Sequence, residues 1–223
     1  MVARIFLWLA KAILIFVVLS LALVVLLRFV PVTYTATMLM DEHSVTRDWE
    51  PLSRIDRNMV SAVIAAEDSK FCQHDGFDRE AIEEALEERA KGERQRGAST
   101  ISQQTAKNVF LWQGGGWFRK GLEAYFTFLI ENLWDKRRIM EVYLNVAETG
   151  LGTYGVEAGS QRYFGHSAAR LSADEASRMA AVLPSPKTRE AVNPGGFTAR
   201  YGNTIEARIG QVRRDGLDTC VYE

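Results

Sequence analysis

Apolar residues follow two regimes along the chain. Over residues 5–27 they run almost unbroken, with only Lys11 and Ser20 interrupting. A bilayer core takes about 20 apolar residues in a helix, so this run is long enough to span, and Lys11 can snorkel to the nearer headgroups. From Asp56 onward apolar positions recur with a helical period, and no alternating run is long enough to predict a strand. The spacing predicts helices over 58–69, 79–91, 100–112, 117–134, 136–147, 156–164 and 173–183, with a further one around 204–213. Breakers separate them: Gly114, Gly115 and Gly116 end one, Gly150 and Gly152 follow another, and Pro184 and Pro186 stop the helix that Ser172 and Glu175 open with a capping box.

The expected organisation is a membrane anchor (1–30), a juxtamembrane stalk (31–55), a mainly α domain (56–194) and a C-terminal tail (195–223) without a usable motif. Arg4, Lys11 and the amine lie on the N-terminal side of the span and Arg28 alone on the other, which predicts a cytoplasmic N-terminus and an exported domain. A cleaved signal peptide is the alternative. Its apolar region is usually only about 7 to 15 residues, and Thr35-Ala36-Thr37 makes a poor cleavage site.

With 47% hydrophobic and 25% charged residues in 223, the chain has enough apolar material for one cored domain. A net charge of −1 gives no basis for nucleic-acid binding. Cys72 and Cys220 lack zinc-site spacing and form no disulfide framework; one bridge between them is open, though a well-cored domain does not need it. The dense charges of 83–96 read as a solvated helix running into a loop, a natural lid for any groove beside it.

Glu67 falls about 80° round the first helix from Met59, in the middle of the stripe made by Val60, Val63 and Ile64. A carboxylate facing the core has its charged form disfavoured, which tunes it as a general base; a structural ion pair or cap is the alternative. Thr100 and Gln103 form a capping box, and Gln104 and Lys107 follow Thr100 at i+4 and i+7. A helix N-terminus with a hydroxyl, an amide and an ammonium on one face suits a diphosphate, or is simply a capped helix with a polar surface. Arg119 and Lys120 are spaced to pair with Glu123, which falls on a buried-looking arc between Ile130 and Trp134.

Together these stretches carry a resemblance. EDSKFCQHDG (67–76), GASTISQQTAKN (97–108), RKGLE (119–123) and the block from Lys136 to Gly165 resemble, in order and spacing, the motifs of the peptidoglycan glycosyltransferase family, found as monofunctional enzymes and as the first domain of bifunctional penicillin-binding proteins. Weaker resemblance continues through LPSPK to Pro194. The resemblance implies a lysozyme-like helical fold and polymerisation of lipid II into β-1,4-linked glycan by inverting displacement, at the outer face of the inner membrane. It implies Glu67 as catalytic base and His74 as positional. Glu123 becomes the second catalytic carboxylate, near the donor diphosphate and holding a divalent metal, Mg²⁺ or Mn²⁺. Substrate contacts are implied for Asp68, Ser99, Thr100, Gln103, Gln104, Lys107, Asn108, Arg119, Lys120, Lys136, Arg138, Tyr143 and Asn145. Partners would be lipid II, the growing lipid-linked glycan, the membrane and proteins of division or elongation.

The sequence departs from the family pattern at His166, where Lys is common, and at Gly159, where Ala is usual. Two rival functions remain: a lysozyme-like hydrolase or lytic transglycosylase, and a non-catalytic membrane-tethered scaffold. No Ser-x-x-Lys and no Lys-Thr-Gly occurs, so transpeptidase activity is not expected.

Overall fold

The apolar run forms one uninterrupted helix, α1 (Val2–Leu27), in a computed structural model that describes residues 1–92 and 97–222. Among the described residues it is the one helix long and apolar enough to cross a membrane. Its second half docks on the domain, against α6 (Trp117–Leu133). Ser20 Oγ lies 2.6 Å from Tyr125 OH, and Trp134 Nε1 donates to the Val24 carbonyl at 2.8 Å. Arg138 donates to Leu27 O at 2.8 Å and to Val30 O, satisfying carbonyls that the end of α1 leaves orphaned.

Residues 31–55 also fold onto the domain rather than standing off it as a stalk. They contain α2 (Ala36–Leu39) and β1 (Thr46–Arg47), which pairs in parallel with β3 (Thr153–Tyr154), itself antiparallel to β2 (Glu148–Gly150). Strands of two or three residues are too short to leave a period in the sequence, which is why none was predicted.

The core has two helical groups. In the first, α3 (Arg57–Glu67) packs against α9 (Ala173–Val182) and α10 (Gly196–Arg214), burying Met59, Val63, Ala176, Ala180, Ile205 and Ile209. In the second, α5 (Ile101–Phe110) packs against α6 and α7 (Lys136–Val146) over Ile101, Ala106, Ile130, Met140 and Leu144. Each large aliphatic side chain so buried contributes about 2 kcal/mol. Both expected capping boxes form, Thr100 with Gln103 and Ser172 with Glu175. The solvated helix is α4 (Arg79–Ala90), which buries no residue. Residues 93–96 of the charged run, and with them the lid, lie outside the described residues.

The two sequence departures have local reasons. Gly159, on α8 (Val156–Phe164), faces Thr149, and a Cβ there would meet Thr149 Oγ1 at 2.7 Å. His166 Nε2 lies 3.0 Å from Glu175 Oε1, so an imidazole takes the place of an ammonium in a surface pair.

Residues 195–222 are integrated. Besides α10 they form α11 (Thr219–Tyr222), and Cys220 is bonded to Cys72, their Cα atoms 5.5 Å apart across 148 residues of sequence. The bridge that the sequence left open between them therefore forms, although a well-cored domain does not require it.

Candidate active site

Glu67 is the last residue of α3, half-buried where α3 meets α5. Gln104 Nε2 donates to its Oε2 at 2.8 Å. Burial pushes the Glu67 carboxyl up; the Gln104 hydrogen bond opposes this most, helped by Arg189 and Lys107, while Asp68 adds to the rise. Gln104 is itself aimed by Tyr143, whose hydroxyl donates to Gln104 Oε1 at 3.5 Å. Tyr143 is fully buried and its phenol is held far above the ordinary range by that burial, so it serves as a fixed neutral donor.

Asp68 lines the edge of the small cleft beside Glu67 with its carboxylate tied to the backbone and to His74. It is buried, accepts the Ile101 N–H at 3.0 Å and lies 3.0 Å from His74 Nε2. His74 Nδ1 accepts the Gly76 N–H at 3.1 Å, so the ring hydrogen sits on Nε2 and is donated to Asp68. His74 thus ties the Asp68 carboxylate to the turn at Gly76. Gly76 explains its own place in the motif: its φ is +89°, and a Cβ would sit 2.8 Å from Glu131 Cγ and Thr127 Cγ2.

Glu123 is buried on α6 with both oxygens taken. Arg119 Nη1 donates to Oε2 at 2.7 Å and Lys120 Nζ to Oε1, while Lys120 also reaches Ser99 Oγ at 3.5 Å. Lys107 belongs to the same field: burial lowers its pKa, Glu123 raises it, and Arg119 and Lys120 lower it again. Three cations therefore surround one carboxylate. Arg119 Nε is buried with no hydrogen-bond partner, a donor left over for an anion. The metal that the resemblance implies would have Glu123 as its carboxylate here. Both Glu123 oxygens are already ion-paired, and among the described residues no group of three or more His, Cys, Asp or Glu could hold an ion. The described residues make no all-protein cage, so a metal here would take most of its ligands from the diphosphate and water.

Beside Gln104 and Lys107 a groove of ≈ 480 Å³ runs past Asn108, Tyr143 and Glu148 to the loop at 183–188. A smaller cleft of ≈ 150 Å³ opens over Glu67 and Ser99. Of the expected residues, Glu67, Ser99, Gln104, Lys107, Asn108, Arg119, Lys120, Glu123 and Tyr143 cluster here. Others are spent on structure. Thr100 and Gln103 are buried in their capping box, with the Thr100 hydroxyl donating to Gly76 O at 2.7 Å. Lys136 donates to His74 O at 2.6 Å and to Glu131 at 2.8 Å. Arg138 caps α1, and Asn145 exchanges hydrogen bonds with the Glu50 backbone at 2.9 and 2.8 Å. Helix geometry explains part of this: Arg138 and Asn145 lie seven apart on the face of α7 opposite Tyr143, whereas Lys136 shares Tyr143's face but is taken by His74 and Glu131.

Three residues here were not singled out from the sequence. Arg189 lowers the Glu67 pKa from the loop after α9, and the Tyr201 hydroxyl donates to Ala66 O at 2.8 Å. Glu148 lines the groove with Oε1 buried and unpartnered. Resemblance through Pro194 hinted at the first; nothing marked the others.

A family model described as Transglycosylase matches residues 34–208. A biosynthetic peptidoglycan transglycosylase of Caulobacter vibrioides is 50% identical over 201 residues, 89% of this chain and 88% of that protein. One of Bdellovibrio bacteriovorus is 51% identical over 225 residues, covering 97% and 90%, and one of Rhodospirillum centenum is 51% identical over 179, covering 80% and 78%. A helical domain with one apolar N-terminal helix, four sequence motifs gathered around one cleft, and a model spanning most of its length agree: this chain belongs to the transglycosylase family.

Proposed function

We propose that the protein is a peptidoglycan glycosyltransferase that polymerises lipid II, releasing the lipid diphosphate. Glu67 takes the proton from the 4-hydroxyl of the incoming sugar as that oxygen attacks the anomeric carbon of the growing chain. The carbon–oxygen bond to diphosphate breaks, and its electron pair leaves with the diphosphate. Attack opposite the leaving group inverts the anomeric centre, so an α-linked donor yields a β-1,4 polymer. Lys107, Arg119 and Lys120 receive the charge that develops on the leaving group, the Ser99 hydroxyl lies beside Lys120, and Glu123 keeps Arg119 and Lys120 in place.

The ion-paired state of Glu123 carries this reading. A hydrolase releases a neutral sugar hydroxyl and has no need of a carboxylate that arrays cations beside the scissile bond. A surrounding field of three cations suits a leaving group that departs as an anion. A scaffold protein would have no use for a desolvated carboxylate held beside them.

The anchor supports membrane attachment, and the cation bias around it supports a cytoplasmic N-terminus with the domain on the outer face of the inner membrane. Protein with labelled lipid II should yield long glycan that a muramidase degrades; well-folded protein that makes no polymer, or that cuts preformed glycan, sinks the assignment.

A further inference from the structure

Asp218 is completely buried and accepts from Arg57 Nε at 2.9 Å, from Arg57 Nη2 at 2.8 Å and from Ser61 Oγ at 3.4 Å. Arg57 and Ser61 sit on α3, the helix that ends in Glu67. Arg213 closes the cluster from α10, donating to Ser61 Oγ at 3.2 Å and Asn58 Oδ1 at 2.6 Å, and Arg137 on α7 donates to Val221 O at 2.9 Å. Two residues beyond Asp218, Cys220 is bonded to Cys72, in the turn between Glu67 and His74. The family model ends at residue 208. An element beyond that shared stretch therefore grips the catalytic helix twice, on its first turns and just past its last residue.

We propose that the Cys72–Cys220 bond and Asp218 form a clasp that positions Glu67, closed by oxidation once the domain has crossed the membrane. Closure removes two protons and two electrons from the two thiols. They pass by thiol–disulfide exchange to a disulfide-bearing oxidant, which leaves as a dithiol. Such oxidants act on the outer side of the membrane and not in a reducing cytosol. Both cysteines are only part-buried at the edge of the core, within an oxidant's reach. They are positioning residues; neither touches the reacting atoms. None of the clasp's hydrogen bonds involves Lys107, Arg119 or Lys120, so opening it disturbs the base and leaves diphosphate binding intact.

The test uses full-length protein made with its anchor in cells and purified without reductant. A thiol-alkylating reagent applied under denaturing conditions should label nothing before dithiothreitol treatment and two sites after it. Reduction of the folded protein should lower the thermal midpoint by on the order of 10 °C. It should also lower kcat for polymerisation at least about threefold, with KM changed by less than about twofold. The sequence contains 2 cysteines, so reductant has no other protein target. The C72S/C220S protein should match reduced wild type and ignore dithiothreitol. Should that variant not fold, reduction of folded wild type carries the comparison alone. Two free thiols in the unreduced protein overturn the clasp, as does a reduction that leaves midpoint and kcat unchanged or that slows the double variant equally. The kcat readout rests on the polymerase reading above, whereas labelling and midpoint do not: an inactive protein whose midpoint falls on reduction counts against that reading and for the clasp.

Discussion

Gln104 Nε2 meets Glu67 Oε2 at 2.8 Å, so the residue that ends one helix is held by a residue one turn into another. This hydrogen bond stabilises the ionised carboxylate against the burial that disfavours it. The balance keeps Glu67 a usable base with its pKa above the ordinary carboxylate range.

The first prediction concerns stability. A carboxyl whose folded pKa is raised stabilises the fold at low pH, and that contribution is lost as pH rises through the folded pKa. At neutral pH an ionised Glu67 is therefore a net cost. Glu67→Gln keeps the shape and an acceptor for Gln104, and should raise stability by about 1 kcal/mol at pH 7 in thermal or denaturant unfolding. The gain should shrink toward pH 4; a variant less stable than wild type at pH 7 contradicts the desolvated carboxylate.

Gln104→Ala removes the largest influence holding the Glu67 pKa down. The acid limb of kcat/KM should move to higher pH, and kcat should fall about tenfold. A limb that stays in place in a pH–rate profile would mean that a different group titrates there.

Lys120→Ala takes one cation from Glu123 and from the diphosphate site. Steady-state kinetics with lipid II should record a fall in kcat/KM of about a hundredfold, with the fold intact by circular dichroism. Loss of stability with unchanged turnover would make the Glu123 cluster a structural ion pair.

Asn145→Ala should behave in the opposite way. Asn145 is buried and bonded to the Glu50 backbone, so truncation should cost about 2 kcal/mol, or roughly 5 °C in thermal midpoint, with kcat/KM within about twofold of wild type. A raised KM for lipid II without destabilisation would return Asn145 to the substrate.

Legibility in the sequence followed the range of the interactions. The helices from α3 to α9, both capping boxes and the inward face of Glu67 are written in local period and spacing and recur in the structure within a residue or two, whereas α10 begins at Gly196, eight residues before the expected start near Thr204. The Cys72–Cys220 bond and the Tyr201 hydroxyl on Ala66 join residues more than a hundred positions apart, which no local pattern records. Motif resemblance named the right helices but not the direction of each side chain. Lys136, Arg138, Tyr143 and Asn145 fall within ten positions, yet only Tyr143 reaches the cleft. Two-residue strands made residues 31–55 look like a stalk, and the docking of α1 depends on Tyr125, Trp134 and Arg138, which carry no motif signal for it.

The central claim is that Glu67 is the base for an incoming sugar hydroxyl. It is tested most directly by the initial rate of glycan formation from labelled lipid II, Glu67→Gln against wild type at pH 7.5. The rate should fall by about a thousandfold or more while the variant stays folded and binds the donor as wild type does. A well-folded Glu67→Gln protein that polymerises within tenfold of wild type would contradict it.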